Sequence, residues 1–187
     1  MSRVRDRFSL LVLKLASPRD KPAGRFARLV KLQRSQLAPT GMALHRSMYE
    51  AFAEGDTTTL RRLCTDGVYD SFSARIRARP RGEKWLWEII KYNRSPKLIS
   101  DRGARFPVDG AAVRQAVVKI ASKQKLTRFR GDGQVVPGTG KEKDIVEYVV
   151  LQKVYRGWKG GEWKVWGTTE ETTLEEVLEL EKRQKEA

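Results

Sequence analysis

The chain has 187 residues, with 38 Lys or Arg against 23 Asp or Glu, and a formal net charge of +15 at neutral pH. This excess indicates a polyanionic partner, either nucleic acid or an anionic membrane surface. Hydrophobic residues make up 40% of the sequence, too much for a wholly disordered basic tail. A single Cys and a single His exclude a disulfide framework, a Cys-based zinc site and a multi-His metal site. No apolar run reaches the roughly 18 residues of a membrane-spanning helix.

The charge is unevenly distributed along the chain. Residues 1–46 contain eleven basic and two acidic residues, whereas residues 168–187 contain three basic and seven acidic residues. This asymmetry predicts three parts: a basic N-terminal arm at 1–39, an α+β domain at 40–170 and an acidic C-terminal helix at 171–187.

The arm provides the first group of candidate RNA-binding residues. Three arginines precede an apolar run from Phe8 onward, Pro and Gly interrupt residues 18–24, and residues 25–37 are predicted to form a short helix with its cations on one side. Four interpretations stay open: a mitochondrial targeting segment, an arm that orders on RNA phosphates, a segment on an anionic membrane, and a plain solvated extension. On the RNA interpretation the contacting cations are Arg3, Arg5, Arg7, Arg19, Lys21, Arg25, Arg28, Lys31 and Arg34.

Three helices are predicted at the start of the domain. The first follows Pro39 and ends at Gly55, and the second covers 57–65 after Asp56, which can cap it. The third is predicted after Gly82, where Trp85, Leu86, Ile89 and Ile90 form an apolar stripe at helical spacing.

From Pro96 the hydrophobic pattern alternates instead. Strands are predicted at 97–105, 113–126, 144–156 and 162–167, with a hairpin turn at Gly160–Gly161 and a solvent-projecting loop at 130–143. Helices followed by strands predict an α+β fold in which the helices pack on one face of a curved antiparallel sheet. Lys123 and Lys125 share the polar side of the second strand and join the candidate RNA-binding residues.

An alternating arginine stripe precedes the third predicted helix. In extended backbone, alternate residues project to one side about 7 Å apart, which is comparable to phosphate spacing in nucleic acids. Arginine also binds phosphate oxygens in a forked geometry. The alternative is a solvated face beside a helix start. The stripe consists of Arg75, Arg77, Arg79 and Arg81.

A second possible binding segment interleaves aromatic and basic residues over 155–166, where Trp158 and Trp166 are the side chains expected to be available for base stacking. Catalytic chemistry is weakly represented: His45 and Cys64 are interpreted as packing residues, and Asp66 and Asp70 lack a His partner. Residues 138–141 (GTGK) lack the spacing of a phosphate-binding loop. We expect no enzymatic activity, cofactor, metal or small-molecule substrate.

Residues 48–56 (MYEAFAEGD) and 60–70 (LRRLCTDGVYD), with the closing WKVW at 163–166, resemble the Tim-forty-four-like domain family over about residues 40–170. The resemblance implies a cone-shaped α+β fold of the cystatin or nuclear-transport-factor type, and a mitochondrial, non-enzymatic role. The family includes the import motor's membrane-bound scaffold, the mitochondrial ribosomal large-subunit protein forty-five and the fungal Mba-type ribosome receptor.

The charge and the resemblance together predict a structural component of the mitochondrial large ribosomal subunit. It would bind rRNA near the tunnel exit beside neighbouring large-subunit proteins, and tether the ribosome to the inner membrane and its insertion machinery. The expected location is the mitochondrial matrix, peripheral to the inner membrane. The alternative is a peripheral inner-membrane adaptor of the import motor, or a ribosome receptor that binds anionic lipid.

Overall fold

A computed structural model describes residues 2–24 and 27–170. The helices in these ranges are α1 (Ser2–Ala16), α2 (Leu37–Glu54), α3 (Thr57–Leu63) and α4 (Asp66–Arg77), with short 3-10 turns at Lys21–Ala23 and Arg34–Gln36. The strands are β1 (Lys84–Arg105), β2 (Ala112–Phe129), β3 (Glu142–Arg156), β4 (Lys159–Gly160) and β5 (Lys164–Glu170). The predicted acidic helix at 171–187 lies outside the described residues. Within the described ranges, no helix is long and apolar enough to cross a membrane.

The strands form one curled antiparallel sheet, which confirms the predicted α+β class. β1, β2 and β3 are neighbours, and β4 and β5 both pair with β3. The β2–β3 ladder runs without a register shift from Ala112 to Lys125, whereas β1 pairs with β2 through several register shifts between Ile89 and Ser100. Such irregularities increase local bending and twist, as the curl requires. The cystatin-type or transport-factor-type cone stays a prediction.

The main core lies between the inner face of the sheet and helices α2, α3 and α4. β2 alternates strictly, so that Ala116, Val118 and Ile120 face the helices and are almost completely buried. At Gly41, α2 approaches the sheet so closely that an added Cβ would lie 2.9 Å from a methyl carbon of Val118. The helix therefore packs directly against the middle of the sheet. The core is completed by Met48, Phe52, Leu60, Cys64, Phe72, Val149, Leu151 and Val165.

A second, smaller core joins the N-terminal segment to the end of the β1–β2 hairpin. Leu13 of α1 and Val30 pack with Ala112, Tyr155 and Trp158. The predicted helix at 25–37 is wrong for the residues described: residues 27–33 form bends and irregular backbone with an antiparallel bridge between Arg19 and Arg28, and helical structure begins only with the 3-10 turn at 34–36. Val30 is therefore buried in the second core from an irregular segment, and not from the apolar face of a helix.

Beside this core lies a buried ion pair. The guanidinium of Arg114 donates from Nε and Nη2 to the two carboxylate oxygens of Asp101, each at 2.9 Å. Both side chains are almost fully buried, and the Nε of Arg34 lies 3.4 Å from the same carboxylate. β1, β2 and the N-terminal segment are therefore joined at one point.

The helix predicted after Gly82 is also wrong, because β1 begins at Lys84 and pairs with β2 over its whole length. Aromatic and β-branched residues such as Trp85 and Ile89 favour a strand. Pairing of this segment with β2 therefore decides its structure, although its apolar residues also fit the spacing of a helix. Trp87 is buried and donates its indole N–H to the side-chain oxygen of Gln124 at 3.0 Å.

The last hairpin turns earlier than predicted, at Gly157 and Trp158 instead of Gly160–Gly161. Both turn residues have positive φ, 54° and 64°, as a two-residue type I′ hairpin turn requires. Trp158 is consequently held in the second core, and the prediction that it is available for base stacking is wrong. Trp166 is 52% exposed.

Candidate nucleic-acid interface

A cleft of about 480 Å³ opens between α2, α4 and the adjoining ends of β2 and β3. Its walls include the apolar or aromatic side chains of Tyr49, Phe52, Trp87, Leu126 and Ile145. Five cations also line it, and we call it the cation-lined cleft. They are Arg75, Lys125, Arg128, Lys141 and Lys143.

The loop between β2 and β3 builds one wall of this cleft. Most of its residues are exposed, as expected for a solvent-projecting loop. The loop nevertheless folds back along β2, because the Gly140 amide donates to the Leu126 carbonyl at 2.8 Å and the Val136 amide donates to the Arg128 carbonyl at 2.8 Å. Gly140 has φ +78°, a conformation that L side chains rarely adopt. The fold-back places Lys141 on the same cleft as the cations of β2 and α4, and Lys143 joins them from β3, where it pairs with Gln124.

The cations of the cleft differ in how far they are neutralised. Arg128 forms a two-pronged ion pair with Glu83, with contacts down to 2.8 Å, and the Nζ of Lys125 lies 3.8 Å from a carboxylate oxygen of Glu88. In the described part of the chain, no carboxylate forms an ion pair with the remaining three cations, and the Arg75 guanidinium lies 4.8 Å from the centre of the Phe52 ring. The uncompensated cations are therefore Arg75, Lys141 and Lys143.

Below these cations, Glu147 is the acceptor of a buried polar network. Its carboxylate accepts from the Tyr49 hydroxyl at 2.7 Å and the Gln124 amide at 2.6 Å, and its other contact is the Nε2 of His45 at 2.7 Å. Burial disfavours the Glu147 carboxylate, but these donors outweigh it and hold its pKa below the ordinary value. Burial and the neighbouring Glu147 raise the pKa of Tyr49. Three side chains of the cleft wall thus engage the Glu147 carboxylate, which leaves ligand contacts to the cations. The Nδ1 of His45 is buried without a hydrogen-bond partner among the described residues.

The four-arginine stripe is not extended. Arg75 and Arg77 belong to helix α4, and Arg75, Arg77 and Arg81 are exposed, so the even projection predicted from an extended backbone is wrong. Arg79 donates to the backbone carbonyls of Phe52 and Ala53 and stacks 4.1 Å from the Trp85 ring centre. Burial lowers the pKa of Arg79. Arg79 therefore ties α4 to α2, and only its three companions face solvent.

The cations of the N-terminal segment are spread over different surfaces. Arg5 and Arg7 are exposed on α1, and Arg19 is exposed at the bridge to Arg28. Arg28 donates to the Ser17 carbonyl at 2.8 Å, Lys31 lies 3.5 Å from Asp20, and Arg34 contacts Asp101. Arg3 and Lys21 have described backbone in α1 and a 3-10 turn, while Arg25 lies outside the described residues.

On β2, Lys125 lines the cleft, whereas Lys123 lies 3.5 Å from a Glu142 carboxylate oxygen. Sequence reasoning missed Lys141, Lys143 and Arg128. The available signal is the glycine pattern at 138–141, whose spacing does not fit a phosphate-binding loop.

Asp66 and Asp70 are exposed, with Asp66 starting α4, and no group of three metal-ligating residues occurs among the described residues.

Three comparisons place the chain among known proteins. A sequence model of the MBA1-like protein family matches residues 25–186. The chain is 27% identical over 101 residues to the inner membrane mitoribosome receptor MBA1 of Saccharomyces cerevisiae, an alignment that covers 54% of this chain and 36% of that protein. The intermembrane space region of the chloroplast protein ARC6 matches 77% of this chain and 98% of that chain, with 10% identity and a TM-score of 0.43. Since the family match covers most of the sequence, the chain belongs to the MBA1-like protein family.

Proposed function

We propose that this chain is a mitoribosome receptor of the mitochondrial inner membrane, held at the membrane peripherally on the matrix side. The relative from Saccharomyces cerevisiae is named an inner membrane mitoribosome receptor. This favours the receptor over the permanent large-subunit component expected from the sequence. The wider Tim-forty-four-like grouping and the ribosomal-protein branch stay predictions.

On the ribosome side, the proposed ligand is the phosphate backbone of rRNA near the tunnel exit, with neighbouring large-subunit proteins beside it. The observation that carries this is the convergence of Arg75, Lys141 and Lys143 on one cleft without carboxylate partners in the described part of the chain. Like charges that close together repel unless a polyanion neutralises them. The His45–Glu147 pair in the cleft wall is buried, and the exposed charged groups of the cleft are cations, so the proposed role is binding.

Co-sedimentation with isolated mitochondrial large subunits at rising salt tests this function. Binding through phosphates should weaken steeply with salt, and replacing Arg75, Lys141 and Lys143 by Ala should reduce the slope of log affinity against log salt by about 2 to 3. A matched variant with Lys91, Arg94 and Lys97 of β1 replaced by Ala loses the same charge at exposed residues that do not line the cleft.

The cleft variant should lose affinity and the β1 variant should retain most of it. Equal losses in the two variants would contradict the cleft as the binding site, and no co-sedimentation at any salt would contradict the receptor function. Chain that stays on salt-washed subunits would instead support the permanent structural role.

A further inference from the structure

Helix α1 carries an apolar stripe on the face that points away from the rest of the protein. Val4, Phe8, Leu11 and Leu15 follow one another at spacings of four, three and four residues, and are 76%, 64%, 50% and 55% exposed. At 3.6 residues per turn, these side chains lie within about 60° of the helix circumference. Large apolar side chains gathered in this way on a surface mark an interaction site.

The opposite face of α1 is fixed to the sheet. Leu10 and Leu13 are buried, and Leu13 packs closely over Gly103 of β1. The Ser9 hydroxyl accepts from the Gly103 amide at 3.2 Å, and the Asp6 carboxylate accepts from the Ser100 hydroxyl at 2.9 Å. Because these contacts set the rotation of the helix, the apolar stripe cannot turn inward without breaking them.

Cations flank the stripe on both sides. Arg5 lies along one edge, and Arg7 and Lys14 lie along the other, all three exposed. The one acidic residue of α1, Asp6, belongs to the buried face. An exposed apolar stripe between two rows of cations is the pattern of a helix that lies in the plane of a membrane interface.

We propose that α1 lies in the surface of an anionic bilayer, with Phe8 and Leu11 at the acyl boundary and the flanking cations at the lipid phosphates. This inference rests on the proposed function and specifies which part of the chain contacts the membrane. It does not involve the cation-lined cleft. The charge favours lipid over a second copy of the chain, because two such helices packed stripe to stripe would bring their cations together.

Flotation of the full chain with phosphatidylcholine vesicles, with and without cardiolipin, tests the inference. Replacing Phe8 by Asp should reduce binding to cardiolipin-containing vesicles about tenfold or more, since it removes a large apolar side chain from the contact and adds a repelled charge. The matched control is Ile90→Asp, which makes the same type of change at an exposed apolar residue of β1. Circular dichroism and large-subunit co-sedimentation check that each variant is folded.

A Cys introduced at Leu11 and labelled with an environment-sensitive fluorophore provides a direct readout, since the native Cys64 is buried. Its fluorescence should increase on adding cardiolipin vesicles. Equal vesicle binding by the Phe8 variant and the native chain would overturn the inference and leave the receptor function standing. Absence of vesicle binding, or a dimer in sedimentation that Phe8→Asp dissociates, would also overturn it, while the co-sedimentation result separately decides the ribosome side.

Discussion

Replacing Arg114 by Met should destabilise the fold by about 3–5 kcal/mol. The Arg114 side chain is 2% exposed, and it supplies two hydrogen bonds of 2.9 Å to a carboxylate with no exposed surface. Without it, the cation left beside Asp101 among the described residues is the guanidinium of Arg34, at the longer distance of 3.4 Å. The large loss comes from leaving one buried charge without its main partner, because the Arg34 guanidinium that remains is partly exposed and makes the longer contact.

Urea unfolding, followed by tryptophan fluorescence and far-UV circular dichroism, measures this effect. Arg34→Met is the matched control: it removes a cation from the same carboxylate, but the Arg34 side chain is 39% exposed, so the expected cost is about 1 kcal/mol or less. The double variant Arg114→Met with Asp101→Leu removes both buried charges and should recover most of the loss.

The reasoning is refuted if Arg114→Met costs no more than Arg34→Met at equal m-values. It is also refuted if the double variant is less stable than Arg114→Met alone, since the penalty would then come from lost packing and not from an uncompensated carboxylate.

Three further predictions concern single side chains. Arg79→Ala should lower the free energy of unfolding by about 2 kcal/mol because it loses two carbonyl contacts and an aromatic stack, whereas Arg77→Ala should change it by about 0.5 kcal/mol or less; urea unfolding compares them. Glu147 has a lowered pKa, so its stabilisation is present above its ordinary pKa of 4.5 and is lost as pH falls below it. Glu147→Gln should therefore reduce stability at neutral pH and flatten the acid side of the stability curve, and an unchanged acid side would contradict this. Burial raises the pKa of Cys64 to about 11, so a thiol reagent at about pH 8 should react with it slowly in the folded chain and rapidly in urea.

The sequence predicted the sheet where burial follows a simple period. β2 alternates strictly, and β3 is apolar around Val149 and Leu151, so strands at 113–126 and 144–156 were identifiable and are confirmed. Asp56 also caps α3 as expected, accepting from the Thr59 amide at 3.0 Å. These features depend on residues close together in the sequence, so they can be predicted from it.

The missed features depend on contacts between distant segments. Trp85 and Ile89 fit a helical stripe as well as a strand, and only pairing with β2 decides between the two. Lys141 lines the same cleft as Arg75 because loop 130–141 folds back over β2. The hydrogen bonds that hold this loop go to backbone carbonyls, so no side-chain pattern predicts them. Counting cations along the chain therefore found two members of the cleft, Arg75 and Lys125, but not their convergence.

The paired strands β1 and β2 also set the distance between helix α1 and the cation-lined cleft. Gly103, against which Leu13 of α1 packs, pairs with Arg114, and Lys125 of the cleft stands eleven residues farther along β2. At about 3.3 Å per residue, that separation is roughly 36 Å along the strand. The β2–β3 ladder is uninterrupted over this stretch, so helix and cleft are mounted on one stiff element without a hinge. A ligand bound at α1 is thus held at a fixed distance and orientation relative to a ligand bound in the cation-lined cleft.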